Sequence, residues 1–306
     1  MSATALQTFM ISLLAAGIAS PFVMKLLVSL KSRQTIHKDA PETHQAKAGT
    51  PTMGGIIILI GAAAGMISAG AWPMLILLVG FGLIGFIDDY IVPRMMAGKR
   101  GLGWMPKLGM QVLFGLAALW SFNFEPWATA TGLFFILFFT NAYNFSDGLD
   151  GLAGLLGIFM AMTLFMVLPS SVPLALIGGF IVFLFFNAPP AKVFMGDVGA
   201  LAIGAVFGLL FFQASIGDSM SFVSYVSSSR FWIMAIWSLV MIAELVPVPL
   251  QIFSVKVLKK KLFPYTPIHH AFEKAGWPET RVTFMFVMVQ LVCGLTAVLM
   301  IRELGL

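Results

Sequence analysis

Ten apolar runs, separated by short clusters of charge, glycine and proline, constrain this chain more than any other feature. They cover 3–30, 54–71, 73–87, 107–123, 127–141, 151–168, 173–187, 198–214, 231–253 and 282–302. A helix crossing the hydrocarbon core of a bilayer needs about 20 apolar residues, within a range of about 17–25. The shorter runs reach the interfaces through polar ends or through local thinning of the bilayer. Only 10% of the 306 residues are charged and 59% are hydrophobic, whereas a soluble domain is about one-quarter charged. Such a chain has too little charge to cover a water-facing surface. A soluble enzyme, a disordered chain, a collagen and a nucleic-acid-binding module are therefore excluded. The expected fold class is all-α, a polytopic membrane protein of about ten transmembrane helices, forming one integral membrane domain over 1–306. No internal repeat is present. The first run is too long for a signal-peptide core and lacks a small-residue cleavage site after it, which predicts a retained helix. Cys293, the single cysteine, permits no internal disulfide.

Basic residues set the expected orientation. Lys31, Arg33, Lys38, Lys47, Arg94, Lys99, Arg100, Lys107, Lys192, Lys256, Lys259, Lys260, Lys261, Lys274 and Arg281 fall in one set of loops, fifteen of the eighteen Lys and Arg. Arg230 and Arg302 fall opposite, and Lys25 can snorkel to the basic side. The basic side is thus expected to be cytoplasmic, with both termini outside. Asp39, Glu42, Asp88, Asp89, Asp147, Asp150, Asp197, Glu273 and Glu279 share that side, Glu125, Asp218 and Glu303 lie outside, and Glu244 is within a run. The chemistry is expected at the cytoplasmic face.

Five clusters on that face carry candidate chemistry. Asp88 and Asp89 close the run GFIDDY. Two carboxylates about 4 Å apart repel by about 4 kcal/mol at an effective dielectric of ~20, which favours a cation or a shared proton; the plain alternative is a polar helix cap. In NAYNFSDGLDG, a helical conformation puts Asn144 and Asp147 on one face at i, i+3, with Asp150 a turn on; a polar interhelical turn is the alternative. The spacing is not that of an EF-hand loop. In NAPPAKVFMGD, Asp197 reads either as a helix N-cap or as the third member of a carboxylate cluster suited to magnesium and phosphate. KAGTPTMGG, residues 47–55, sets a lysine, two hydroxyls and a glycine pair before a helix start, where anions are favoured, though a basic topology loop would look the same. PIHHAFEKAGW carries adjacent His269 and His270, able to shuttle protons or bind metal or phosphate, without the HExxH of a zinc protease. Glu244 costs ~2.5–3.5 kcal/mol to insert at a helix centre, and reads as an ion site or as a hydrogen bond across helices. Pro247 and Pro249 after it predict a kinked or opened helix.

These five blocks, in this order, resemble the polyprenyl-phosphate N-acetylhexosamine-1-phosphate transferase superfamily and, within it, the phospho-N-acetylmuramoyl-pentapeptide transferase family. The resemblance implies ten helices with both termini periplasmic, in the bacterial inner membrane. The implied reaction joins UDP-N-acetylmuramoyl-pentapeptide to undecaprenyl phosphate with release of UMP, the first membrane step of peptidoglycan synthesis, with Mg2+ as cofactor. By the same resemblance Asp197 is a metal ligand with Asp89 nearby. Asp88 is the base, either deprotonating the lipid phosphate or forming a covalent intermediate. Lys47, Thr52, Asn144, Asp147, Asp150 and Asn187 line the nucleotide and diphosphate pocket, with Phe194 against the uracil. Lys107, His269 and His270 bind phosphates or position the substrate. The implied partners are the two substrates and membrane lipid, with a homodimer left open. Two departures stand out: the family's third consecutive histidine is Ala271 here, and the chain is short. A GlcNAc-1-phosphate transferase is the nearest alternative. A proton-coupled transporter built on Glu244 is disfavoured, because the other acids gather at one interface rather than at the midplane.

Overall fold

The computed structural model describes residues 3–30, 49–96 and 101–306, and among them every regular element is a helix. Lys47, together with Lys31, Arg33, Lys38, Asp39, Glu42, Lys99 and Arg100 of the orientation argument, lies outside the described residues. The first four helices are α1 (Ala3–Ser29), α2 (Gly55–Ser68), α3 (Trp72–Phe86) and α4 (Trp104–Trp120). They are followed by α5 (Pro126–Phe145), α6 (Leu152–Val167), α7 (Val172–Asn187) and α8 (Gly196–Ile216). The run at 231–253 is divided among α10 (Ser229–Trp237), α11 (Leu239–Leu245) and α12 (Pro247–Phe253), after a short α9 (Phe222–Ser227). A seven-residue α13 (Ile268–Lys274) precedes α14 (Glu279–Glu303).

Among the described residues, five helical stretches are long and apolar enough to cross a membrane: Thr4–Ser29, Trp72–Met95, Gly196–Ile216, Leu239–Leu258 and Glu279–Glu303. The second is longer than the 73–87 run. After α3 the chain keeps winding through a π-helical turn, Ile87–Ile91, and a last turn, Val92–Met95. The acids at 88 and 89 do not end the helix, because their carboxylates find partners on other elements. Pro247 opens the helix where expected, but a further break at Ser238 does not show as a polar interruption in the sequence.

Helix α8 is the hub. Nearly all of it is buried, with α5 and α3 packed along it and α2 crossing its start. A burial this complete needs small residues at the crossings, since lipid supplies no hydrophobic drive between helices. A Cβ on Gly55 would lie 2.4 Å from the Gly199 Cα, so α2 meets α8 backbone to backbone. Buried polar contacts fix the outer helices: Ser12 Oγ donates to Ala175 O at 2.5 Å, and Trp237 Nε1 to Thr163 Oγ1 at 2.8 Å. The result is a rigid axis whose first residues, Gly196 and Asp197, are presented at one end of the bundle.

Candidate active site

Two separate segments deliver three carboxylates to the start of α8. The π turn, a feature frequent at functional sites, carries Asp88 and Asp89 just beyond α3; Asp197 opens α8. Each of the three offers an oxygen lying within 4.8 Å of the others. Asp88 Oδ1 accepts from the Leu102 N–H at 2.7 Å, and Asp89 Oδ2 from the Val198 N–H at 3.3 Å. Lys107, at the start of α4, sits among them: its ammonium is bonded to Asp197 and lies 3.4 Å from Asp88 Oδ2. One ammonium drawing in two carboxylates, with a third alongside, marks a pocket that demands positive charge. An all-oxygen donor set of this kind suits a hard divalent cation.

Gly196 organises the second layer. Its φ of +72° is a left-handed conformation, and a Cβ there would fall 2.7 Å from both Asp89 Oδ2 and Thr52 Oγ1. Its N–H donates to Asp147 Oδ2 at 3.0 Å. Burial holds the Asp147 carboxyl well above the ordinary carboxylate range; the Gly196 N–H pulls the other way, and Asp197 and Asp89 push it further up. Thr52 arrives through a backbone pairing, with Phe194 N donating to Pro51 O at 2.9 Å and Gly54 N to Phe194 O at 2.8 Å. Asp88, Asp89, Asp147, Asp197, Lys107 and Thr52 are thus brought together, and Phe194, half-buried, is joined to the Thr52 segment through its backbone. Asn144 lies half-buried on the last turn of α5.

Asp150 and Asn187 hold loops. Asp150 Oδ2 accepts from Ala191 N at 2.9 Å, and its own N–H donates to Glu279 Oε1 at 2.6 Å. Asn187 accepts from Gly151 N at 3.1 Å and donates to Val193 O at 2.9 Å. Glu279, which sequence reasoning did not single out, enters from a point 129 residues away, and no local pattern announces it.

The histidine block is helical. His269 is fully buried, with Nδ1 2.7 Å from Glu244 Oε2, whereas the part-exposed His270 has Nδ1 2.7 Å from Glu273 Oε2. The i, i+3 spacing makes the second pair readable in the sequence; the first is a long-range contact. Successive helical residues diverge by about 100°, so positions 269, 270 and 271 cannot all face one ligand. Ala271→His is therefore expected to change turnover less than either His269→Ala or His270→Ala, as steady-state rates of the three variants would show. A large gain from Ala271→His would instead make the third imidazole catalytic.

Comparison with known proteins shows the family. The family model described as glycosyl transferase family 4 matches residues 71–215, and phospho-N-acetylmuramoyl-pentapeptide-transferase signature 1 matches residues 47–59. A phospho-N-acetylmuramoyl-pentapeptide-transferase of Heliobacterium modesticaldum is 35% identical over 92% of this chain and 92% of its own length. That of Lactobacillus delbrueckii subsp. bulgaricus is 34% identical over 94% of this chain and 96% of its own. The Listeria welshimeri enzyme is 32% identical, covering 95% and 96%.

Proposed function

The chain belongs to the phospho-N-acetylmuramoyl-pentapeptide-transferase family, and from that premise we propose how its acid cluster carries out the transfer. The enzyme is a glycosyl-1-phosphate transferase of the membrane. It moves phospho-N-acetylmuramoyl-pentapeptide from its UDP-activated form to undecaprenyl phosphate, giving the lipid-linked sugar peptide and UMP. We read ten spans in one membrane domain, both termini outside and the acid cluster at the cytoplasmic face of the bacterial inner membrane, on the strength of the basic-residue count.

The single observation that carries the mechanism is the gathering of Asp88, Asp89 and Asp197 around the Lys107 ammonium. Asp89 and Asp197 would hold Mg2+, with Asp88 beside them. The bound cation would supply charge neutralisation for the UDP diphosphate. Asp88, held by Leu102 N–H, takes the proton from the lipid phosphate, whose oxygen then attacks the β-phosphorus. A new diphosphate bond forms to the lipid, the bond between the two UDP phosphates breaks, and UMP leaves. Lys107 turns from the carboxylates to the negative charge of the leaving phosphate. Asp147 and Thr52, anchored around Gly196, border the nucleotide-sugar pocket, with Asn144 and Phe194 as its further lining; Lys47 is assigned to binding the diphosphate. His270 faces the substrate side, and Asp150 and Asn187 keep the pocket loops in register. The signature over 47–59 favours the muramoyl substrate over UDP-GlcNAc.

Purified protein given undecaprenyl phosphate and magnesium is expected to release UMP from UDP-N-acetylmuramoyl-pentapeptide and not from UDP-GlcNAc. UMP release from the second substrate alone would overturn the assignment. Full turnover in excess chelator would remove the metal from it.

A further inference from the structure

Glu244 lies in α11, inside the apolar stretch Leu239–Leu258, and its side chain is fully buried. A lone acid in such a place needs a partner. Its Oε2 has one, the Nδ1 of His269 at 2.7 Å, itself fully buried on α13. Among the described residues, Glu244 Oε1 and His269 Nε2 have no hydrogen-bond partner. A buried pair left half-satisfied contributes little to stability that well-packed apolar side chains would not, so its value lies in specifying geometry.

The geometry is specific. The far edge of the His269 ring presses on the acid-bearing loop after α5: a Cβ on Gly148 would stand 2.4 Å from His269 Nε2. Gly148 follows Asp147, whose carboxylate receives the Gly196 N–H beside Asp197. Two residues further, Asp150 is tied to Ala191 and Glu279. A carboxylate accepting from Nδ1 fixes which nitrogen carries the proton and how the ring is turned. We propose that Glu244 is a positioning residue for the transfer reaction: by holding His269 Nδ1 it sets the imidazole against Gly148, and so sets the register of the Asp147 loop at the start of α8. The effect on turnover rests on the transferase reading above; the link from Glu244 to His269 does not.

Three proteins test it: wild type, Glu244→Gln and Glu244→Leu. Glutamine keeps an acceptor for Nδ1–H at nearly the same volume, whereas leucine fills the space without one. Glu244→Leu is expected to lower kcat about 10–100-fold, the scale of losing the carboxylate that orients a metal-ligating histidine. The KM for the nucleotide sugar should hold and the melting temperature stay near that of wild type, while Glu244→Gln recovers most of the loss. Nitrogen-15 spectra of labelled histidine, with the His269 signal assigned from its absence in His269→Asn, should show Nδ1 protonated in wild type and the tautomers redistributed in Glu244→Leu. An unchanged kcat in Glu244→Leu, a loss that follows the melting temperature and resists rescue by glutamine, or an unchanged His269 spectrum would each overturn the proposal. A wild type that releases no UMP would overturn the reaction instead, and the spectra would still decide the Glu244 link.

Discussion

Asp197→Asn is expected to reduce magnesium-dependent UMP release by about 10³-fold while leaving the protein folded. Asp197 joins two functions that, of the other acids, only Asp88 also combines, and Asp88 lies farther from the Lys107 ammonium. It is the partner that fixes Lys107, and it belongs to the three-carboxylate group that can hold a cation. Asparagine has the same shape and keeps the start of α8 intact, so the loss falls on charge. Removing one preorganised group that stabilises developing charge costs about 10²–10³-fold in turnover. The upper end applies because the amide also frees Lys107 from its closest acceptor. A magnesium titration of the variant should fail to restore the rate at any concentration that saturates wild type, with an unshifted melting temperature. Restoration by magnesium to within about tenfold of wild type, less than one positioned group normally supplies, would move the essential charge to Asp88 and Asp89.

The bundle was legible because the bilayer allows few alternatives: a backbone in hydrocarbon must satisfy its own hydrogen bonds, so apolar runs become helices. What the runs hide are their interruptions. Ser238 divides the run at 231–253 without any break in hydropathy, and Asp88 and Asp89 continue a helix that charge alone would end. The site was legible in part for the same reason, since acids at the membrane surface collect in few places. Residue type did not separate the acids that gather from those that brace. Asp147 and Asp150 sit three apart in one loop, yet Asp147 meets the start of α8 and Asp150 receives the Ala191 N–H. Nor could spacing find Lys107 among the acids, 90 positions from Asp197, or the pairing of Glu244 with His269. Each depends on helices brought together by the whole fold. The sequence left Glu244 between an ion site and a hydrogen bond across helices; the structure shows the hydrogen bond.

The second large effect needs no charge change at all. Gly85→Ala is expected to cost about 10²-fold in turnover, the scale of a misplacement of about 1 Å at a reacting centre. Gly85 is where α3 crosses α8: a Cβ there would lie 2.3 Å from the Asp197 carbonyl carbon and oxygen and from the Val198 nitrogen. These are backbone atoms of the most buried helix, so the clash cannot be relieved by turning a side chain. The helices must separate, and Asp88 and Asp89, three and four residues further along in the π turn that continues α3, move away from Asp197 with them. The bond from Val198 N–H to Asp89, already 3.3 Å long, is the first to go. Overpacking of this kind typically costs about 1–3 kcal/mol of stability, which a buried bundle survives. Gly82→Ala, three residues back on the same helix, is the control. Its new methyl would meet chiefly the Leu59 Cδ2, 3.0 Å away at the end of a movable side chain. Turnover and the magnesium concentration for half-maximal rate, measured on both variants, should shift together in Gly85→Ala and little in Gly82→Ala. Equal behaviour of the two would mean that the acids do not depend on the closeness of α3 to α8.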